Sequence, residues 1–173
     1  MTATTRGLVM VNTGNGKGKT TAALGIMLRA WGNNMRVTML QFVKHSNVGE
    51  HRAAQRLGLE IVAGGAGRTS QGKNVNENQS CAVELWSMAM KRINSGNYDM
   101  VILDELTYPL KYGWLNVDEV LNVLKNRPDK LHVVITGRNA PQELIDFADT
   151  VVEIQDVKHH LRNGIKAQSG IEF

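Results

Sequence analysis

The chain has 173 residues, of which 42% are hydrophobic and 21% charged, a composition ordinary for a water-exposed globular protein with room for one core. Twenty Lys and Arg against 16 Asp and Glu leave a net charge of +4, which suits a small anionic ligand and falls well short of the basic surface of a nucleic-acid binder. One cysteine, Cys81, excludes an internal disulfide and a zinc site built from several thiolates.

Between Ser80 and Ala82 in a predicted helix, Cys81 reads as a small buried hydrophobe. No apolar stretch approaches the ~20 residues that a membrane span needs, and the N-terminus lacks a secretory apolar region. A cytoplasmic protein is expected, with no membrane and no nucleic-acid partner.

Residues 8–12 form a short apolar run ending at the glycine-rich stretch TGNGKGKTT, residues 13–21. Helical spacing follows over 20–31, with Leu24, Met27, Leu28 and Trp31 on one face and Gly32 as the stop. VTMLQFV (37–43) reads as a buried strand, 50–57 as a helix closed by Gly58, and LEIVA (59–63) as another strand. Residues 64–76, with four glycines and almost no apolar side chains, form the longest predicted loop.

A long helix is expected over 77–95, with Val83, Trp86, Met90 and Ile93 at helical spacing. Then come a strand at DMVIL (99–103), a helix at 117–124, a strand at LHVVIT (131–136), a helix at 141–148 opened by Pro141, and a last strand at 151–154. The tail from Asp156 is irregular and basic in its first half. This alternation predicts an α/β fold in one domain, with a mostly parallel central sheet and helices on both faces.

A glycine-rich loop between a buried strand and a helix aims successive backbone N–H groups at one point, beside the positive end of the helix. That is a phosphate cradle. Lys19 would reach the phosphates, and the Thr20 hydroxyl would ligate Mg2+. The pattern is TxxxxGKT, with Thr13 where GxxxxGK[ST] has glycine. Thr13, Gly14, Asn15, Gly16, Lys17, Gly18, Lys19, Thr20 and Thr21 are therefore the candidate nucleotide-binding residues. The partner of such a loop is a carboxylate at the end of an apolar strand, and MVILDE supplies Asp104 and Glu105 as further candidate metal ligands. Lys17 is either an extra cation for a whole triphosphate or an exposed loop lysine.

With these residues in place, the chain resembles the ATP:corrinoid adenosyltransferases of the cobalamin-pathway P-loop type. The likeness runs from about residue 7 to 173 and is carried by TGNGKGKTTAALG, VTMLQFVK, VILDELTY, HVVITGRNAP, FADTVVEI and VKHHLRNGIKAQSGIEF. It implies a single P-loop NTPase (RecA-like) nucleotide-binding domain over 1–173. It also implies an enzyme in which a Co(I) corrinoid attacks the 5′ carbon of ATP, with Lys17, Lys19 and Glu105 serving the chemistry. Mg2+ as cofactor, ATP and a corrinoid as substrates, a homodimer and a flavoprotein reductant are implied in the same way.

Position by position, Thr20 and Glu105 match the family's metal ligands, with Asp104 beside them. Arg29 matches an arginine near the nucleotide or is a solvated helix residue, and Arg138 faces the site or caps a helix. Lys158 and His159 match a segment close to the substrates. His159 is a corrinoid contact, a surface residue or, more remotely, a cobalt ligand. Family members carry aromatic residues in a GFTW-like run that displace the lower axial ligand of the corrinoid. Here the matching segment is GRTS, with Arg68 and Ser70 as the candidate corrinoid contacts. Another side chain then enters, or Co(I) is reached differently, or the corrinoid preference has changed. The first strand begins within eight residues, so the N-terminal helical extension of some relatives is expected to be missing. Two other readings remain open: an ATP-gated corrinoid carrier or sensor, and another P-loop kinase or ATPase.

Overall fold

The apolar runs alternate between two faces of one sheet. The computed structural model describes residues 6–44, 48–64 and 75–172. In these, β1 (Val9–Thr13), β2 (Val37–Gln41), β3 (Glu60–Ala63), β4 (Met100–Asp104), β5 (His132–Thr136) and β6 (Thr150–Glu153) pair in the order β3-β2-β4-β5-β1-β6. Every pairing is parallel. Strands buried on both faces need apolar residues at successive positions, which is why β2 and β4 are buried at all five.

Because side chains alternate along a strand, the sheet makes two cores. Val9, Val11, Leu40, Val101, Leu103, Val133 and Ile135 pack with Leu85, Trp86, Val120, Leu124 and Leu144, from α3 (Val75–Asn94), α5 (Val117–Lys125) and α6 (Gln142–Phe147). Val37, Met39, Met100, Ile102 and Val134 pack with Ala23, Met27 and Ala30 of α1 (Lys19–Gly32). Helices therefore cover both faces, as the alternation predicts. The remaining helices are α2 (Gly49–Leu57) and α4 (Thr107–Lys111), with a 3-10 turn at His160–Asn163.

Several sequence expectations are corrected. Leu28 and Trp31 are 52% and 41% exposed, and the buried stripe of α1 is Ala23, Met27 and Ala30. The alanines share one face with Met27 and let the helix axis sit close to the sheet. Val83 is likewise exposed, and α3 packs through Ala82, Leu85, Trp86, Ala89 and Ile93. Cys81 is half-buried rather than buried. The α4 helix was not predicted because Pro109 interrupts TYPLK. Pro109 lies in the first turn, where backbone N–H groups have no helical partner in any case. No helix among the described residues is long and apolar enough to cross a membrane.

Arg36, before β2, and Asp99, before β4, lock the amino ends of neighbouring strands. The Arg36 N–H and Nε donate to Asp99 Oδ2 at 2.8 and 3.1 Å, and Nη2 donates to Oδ1 at 2.8 Å. These hydrogen bonds pull the Asp99 carboxyl from 3.8 down to about 2.

A depressed carboxyl pKa stabilises the fold above the unfolded value and loses that contribution as pH falls through the folded one. Asp99→Asn should therefore lower the urea midpoint at neutral pH, and its gap from wild type should close as pH drops from about 4 toward 2. For α1, Met27→Ala should cost about 2–5 kcal/mol in urea unfolding, whereas Leu28→Ala should stay within about 0.5 kcal/mol. A larger loss for Leu28→Ala than for Met27→Ala would mean that α1 packs by the other stripe.

Candidate nucleotide site at the carboxyl ends of the strands

In a parallel sheet, ligands bind beyond the carboxyl ends of the strands. Here β5 lies between β1 and β4, so the loop after β1 and the carboxylates ending β4 face each other across one intervening strand. Thr13, Asp104 and Thr136 are the last residues of β1, β4 and β5.

Residues 14–18 wrap from β1 into α1 and dock on the end of β6. The Gly16 N–H donates to the Ile154 carbonyl at 2.7 Å. A Cβ on Gly14 would stand 2.5 Å from the Ile154 oxygen, and one on Gly16 would stand 2.5 Å from the Gln155 oxygen. Gly14 also has φ +96°, which side chains rarely adopt. These two glycines are required by close approach to the backbone beyond β6. The Thr13 hydroxyl accepts from the Ala140 N–H at 3.2 Å, which ties the loop's first residue to the turn after β5.

Lys19 Nζ donates to the Gly14 and Gly16 carbonyls at 2.8 and 2.5 Å, so the ammonium is held over the loop. Burial and the nearby Arg138 charge lower its pKa, opposed by Glu105 and Asp104. Thr20 Oγ1 donates to Asp104 Oδ1 at 2.9 Å, and Thr136 Oγ1 donates to the same oxygen at 2.6 Å. Gln41 Nε2 donates to Asp104 Oδ2 at 3.0 Å, with Lys44 Nζ 4.0 Å away. Asp104 is fully buried.

Glu105 has φ +62°, and its N–H donates to Thr136 Oγ1 at 2.9 Å. One threonine hydroxyl thus positions both acids of the pair. Lys44 also pairs with Glu50 at 2.7 Å. Burial pushes the Glu50 carboxyl up, but the Lys44 contact, a backbone hydrogen bond and the nearby His51 together outweigh it and the net shift is downward.

The loop opens into a cavity of about 1020 Å³ lined by Gly16 to Thr21, Lys44, Glu50, Glu105, Tyr108, Tyr112, Arg138, His159 and the tail residues Gly170, Ile171 and Glu172. That volume is at the upper end for small-molecule sites. Tyr112 is half exposed and stacks on Trp114 with ring centroids 5.1 Å apart. His159 Nδ1 accepts from the Leu161 N–H at 3.2 Å, which leaves Nε2 as its other polar atom. Lys17 pairs with Glu172 at 2.8 Å.

The fold therefore brings together the loop, Asp104, Glu105, Arg138 and His159. Lys158 is exposed and does not line the cavity. Arg29 is on the last turn of α1, ten residues and about 15 Å along the axis from Lys19, so this chain does not bring it to the loop. Arg68 and Ser70 lie outside the described residues. Sequence reasoning missed Gln41, Lys44, Glu50, Tyr108, Tyr112, Thr136 and Glu172 as site residues. A signal existed for two of them: Gln41 and Thr136 are polar residues at the carboxyl ends of otherwise apolar strands.

Thr136→Val keeps the side-chain shape but removes one donor from Asp104 and the acceptor of the Glu105 N–H. It should cost about 1–3 kcal/mol in denaturant unfolding. No loss of stability would show that the two acids find partners elsewhere.

A family model described as "ATP:corrinoid adenosyltransferase BtuR/CobO/CobP" matches residues 5–173. The chain is 40% identical over 169 residues to the corrinoid adenosyltransferase of Escherichia coli, covering 97% of this chain and 86% of that one. It is 39% identical to the corrinoid adenosyltransferase CobA of Salmonella typhimurium, with the same coverage. The Pseudomonas aeruginosa corrinoid adenosyltransferase is 39% identical over 171 residues, covering 97% of this chain and 84% of that one. Among solved structures, the flagellar accessory protein FlaH of Methanocaldococcus jannaschii shares the fold, with TM-score 0.54 at 11% identity over 86% of this chain and 71% of that chain. With a parallel sheet, a phosphate loop after β1 and a family match over almost its whole length, the chain belongs to the ATP:corrinoid adenosyltransferases and is a transferase.

Proposed function

We propose that residues 13–21 hold all three phosphates of ATP as the leaving group while a Co(I) corrinoid attacks the 5′ carbon of the ribose. The observation that carries this reading is one cavity of about 1020 Å³ that is lined by both the loop and Glu105. It has room beside a nucleotide for part of a second large ligand. In the reaction the cobalt electron pair forms the Co–C bond, the bond from the 5′ carbon to oxygen breaks, and its electron pair leaves with triphosphate. No proton need move. The protein's task is to orient two substrates and to stabilise the anion that departs.

The residues divide accordingly. Backbone N–H groups of Gly14 to Thr20 other than that of Gly16, which is given to the Ile154 carbonyl, take the growing negative charge with the Lys17 and Lys19 ammonium groups. Thr13, Asn15 and Thr21 belong to the same loop and its first helical turn. Thr20 and Glu105 would hold Mg2+, an oxygen donor set that suits a hard cation. Because the Thr20 hydroxyl gives its hydrogen to Asp104, its lone pairs are left for the metal, and Asp104 acts through Thr20. The ion would neutralise charge on the triphosphate. Arg138, at the cavity wall, is suited to the same anion, and His159 and Tyr112 border the space left for the corrinoid. One domain carrying both substrates, a homodimer, a flavoprotein reductant and a cytoplasmic setting complete the proposal.

Chemically reduced cobalamin and MgATP should yield light-sensitive adenosylcobalamin and inorganic triphosphate in equal amounts, followed by chromatography. Lys19→Ala should lower the rate by on the order of a hundredfold. ADP or orthophosphate as the product would overturn the proposed bond cleavage.

A further inference from the structure

The C-terminal tail reaches back onto the phosphate loop. A turn over residues 168–172, in which the Glu172 N–H donates to the Gln168 carbonyl at 2.9 Å and Gly170 takes φ +79°, sets the Glu172 carboxylate in front of Lys17. The Lys17 ammonium lies 2.8 Å from Glu172 Oε1, and His160 Nε2 lies 3.3 Å from the same oxygen. The His159 ring stacks on His160 with centroids 4.6 Å apart. The Lys17 contact, ahead of smaller opposing desolvation, holds the Glu172 carboxyl below the usual range, so it is an anion at neutral pH.

Lys17 is one of the two cations of the loop. A triphosphate that is to use it must take it from a carboxylate of the same chain. The tail makes this exchange feasible, since Val157, Leu161, Ile165 and Ile171 are all exposed and little apolar burial fastens the segment.

Resting on the triphosphate role proposed above, we propose that Glu172 is an intramolecular competitor for Lys17 and that it sets the affinity of the loop for ATP and for the triphosphate product. A carboxylate in this position weakens polyphosphate binding without touching the reacting atoms. It also helps a highly charged product to leave, because the cation is re-paired as the anion departs. Glu172 is thus a positioning residue acting through Lys17.

The test is a double-mutant cycle on the full chain, with binding of MgATP and of magnesium triphosphate read by calorimetry. Glu172→Gln should tighten both ligands roughly two- to fivefold, the order of a surface ion pair, here partly buried on the Glu172 side, and Glu172→Asp should restore weaker binding. In a Lys17→Met background, Glu172→Gln should change nothing. A general field of the carboxylate on the ligand would instead persist in that background. In turnover, Glu172→Gln should lower KM for ATP and strengthen product inhibition by triphosphate without raising kcat.

Unchanged or weaker binding by Glu172→Gln would overturn the inference, as would an equal gain with Met at position 17. If wild type binds MgATP but makes no adenosylcorrinoid, the transfer reading fails while the cycle still decides the role of Glu172. If wild type is active and the cycle shows no coupling, the inference alone fails.

Discussion

A fully buried carboxylate organises this molecule. Removing Asp104 from water is tolerable only if its oxygens are matched by donors or cations, because an unpaired buried charge costs several kcal/mol. The matching groups come from three separate parts of the chain: Thr20 at the start of α1, Gln41 and Lys44 at and beyond the end of β2, and Thr136 at the end of β5. Satisfying one charge therefore fixes the phosphate-loop helix, the loop after β2 and the two central strands relative to one another. The interaction that makes the burial affordable is the same one that shapes the site.

The insertion of β5 between β1 and β4 gives this arrangement its reach. Were β1 and β4 adjacent, the loop and the acid pair would meet directly across one strand spacing. With β5 between them, the link is made by Thr20, which reaches from the end of the loop to Asp104 at 2.9 Å, while Thr136 at the end of β5 donates to Asp104 and accepts from the Glu105 N–H. The left-handed backbone at Glu105, φ +62°, turns the second acid away from the buried path of the first. One carboxylate is consumed by structure, and its neighbour borders the cavity.

Charge at the cavity is balanced rather than simply positive. Lys44 is shared with Glu50, Lys17 with Glu172, and Lys19 sits against its own loop's carbonyls. Such pairing keeps a cluster of cations from destabilising the fold by mutual repulsion, and under the proposed triphosphate role it leaves each ammonium exchangeable toward a phosphate. A reaction whose leaving group is an entire triphosphate needs both properties, since the site must hold the anion and then release it.

The sequence by itself determined the α/β class, the parallel sheet, the phosphate loop and the pairing of that loop with Asp104 and Glu105. These depend on local periodicity and on short motifs whose physics is contained within a few residues. The likeness to the corrinoid adenosyltransferases, read from the ordered set of stretches between residues 7 and 173, agrees with the family match. Tertiary structure decided what local pattern leaves degenerate. Two stripes of α1 share Met27 at helical spacing, and the closeness of helix to sheet selected Ala23 and Ala30 beside it over Leu28 and Trp31. Arg29 shares a helix with Lys19 but is carried away from the loop by the rise of that helix. Gln41, Thr136 and Glu172 are separated by as many as 131 positions from one another, and no local rule joins them. Gln41 and Thr136 meet on Asp104 because parallel strands deliver their carboxyl ends to one edge, and Glu172 reaches Lys17 because residues 168–172 fold back to the glycine loop.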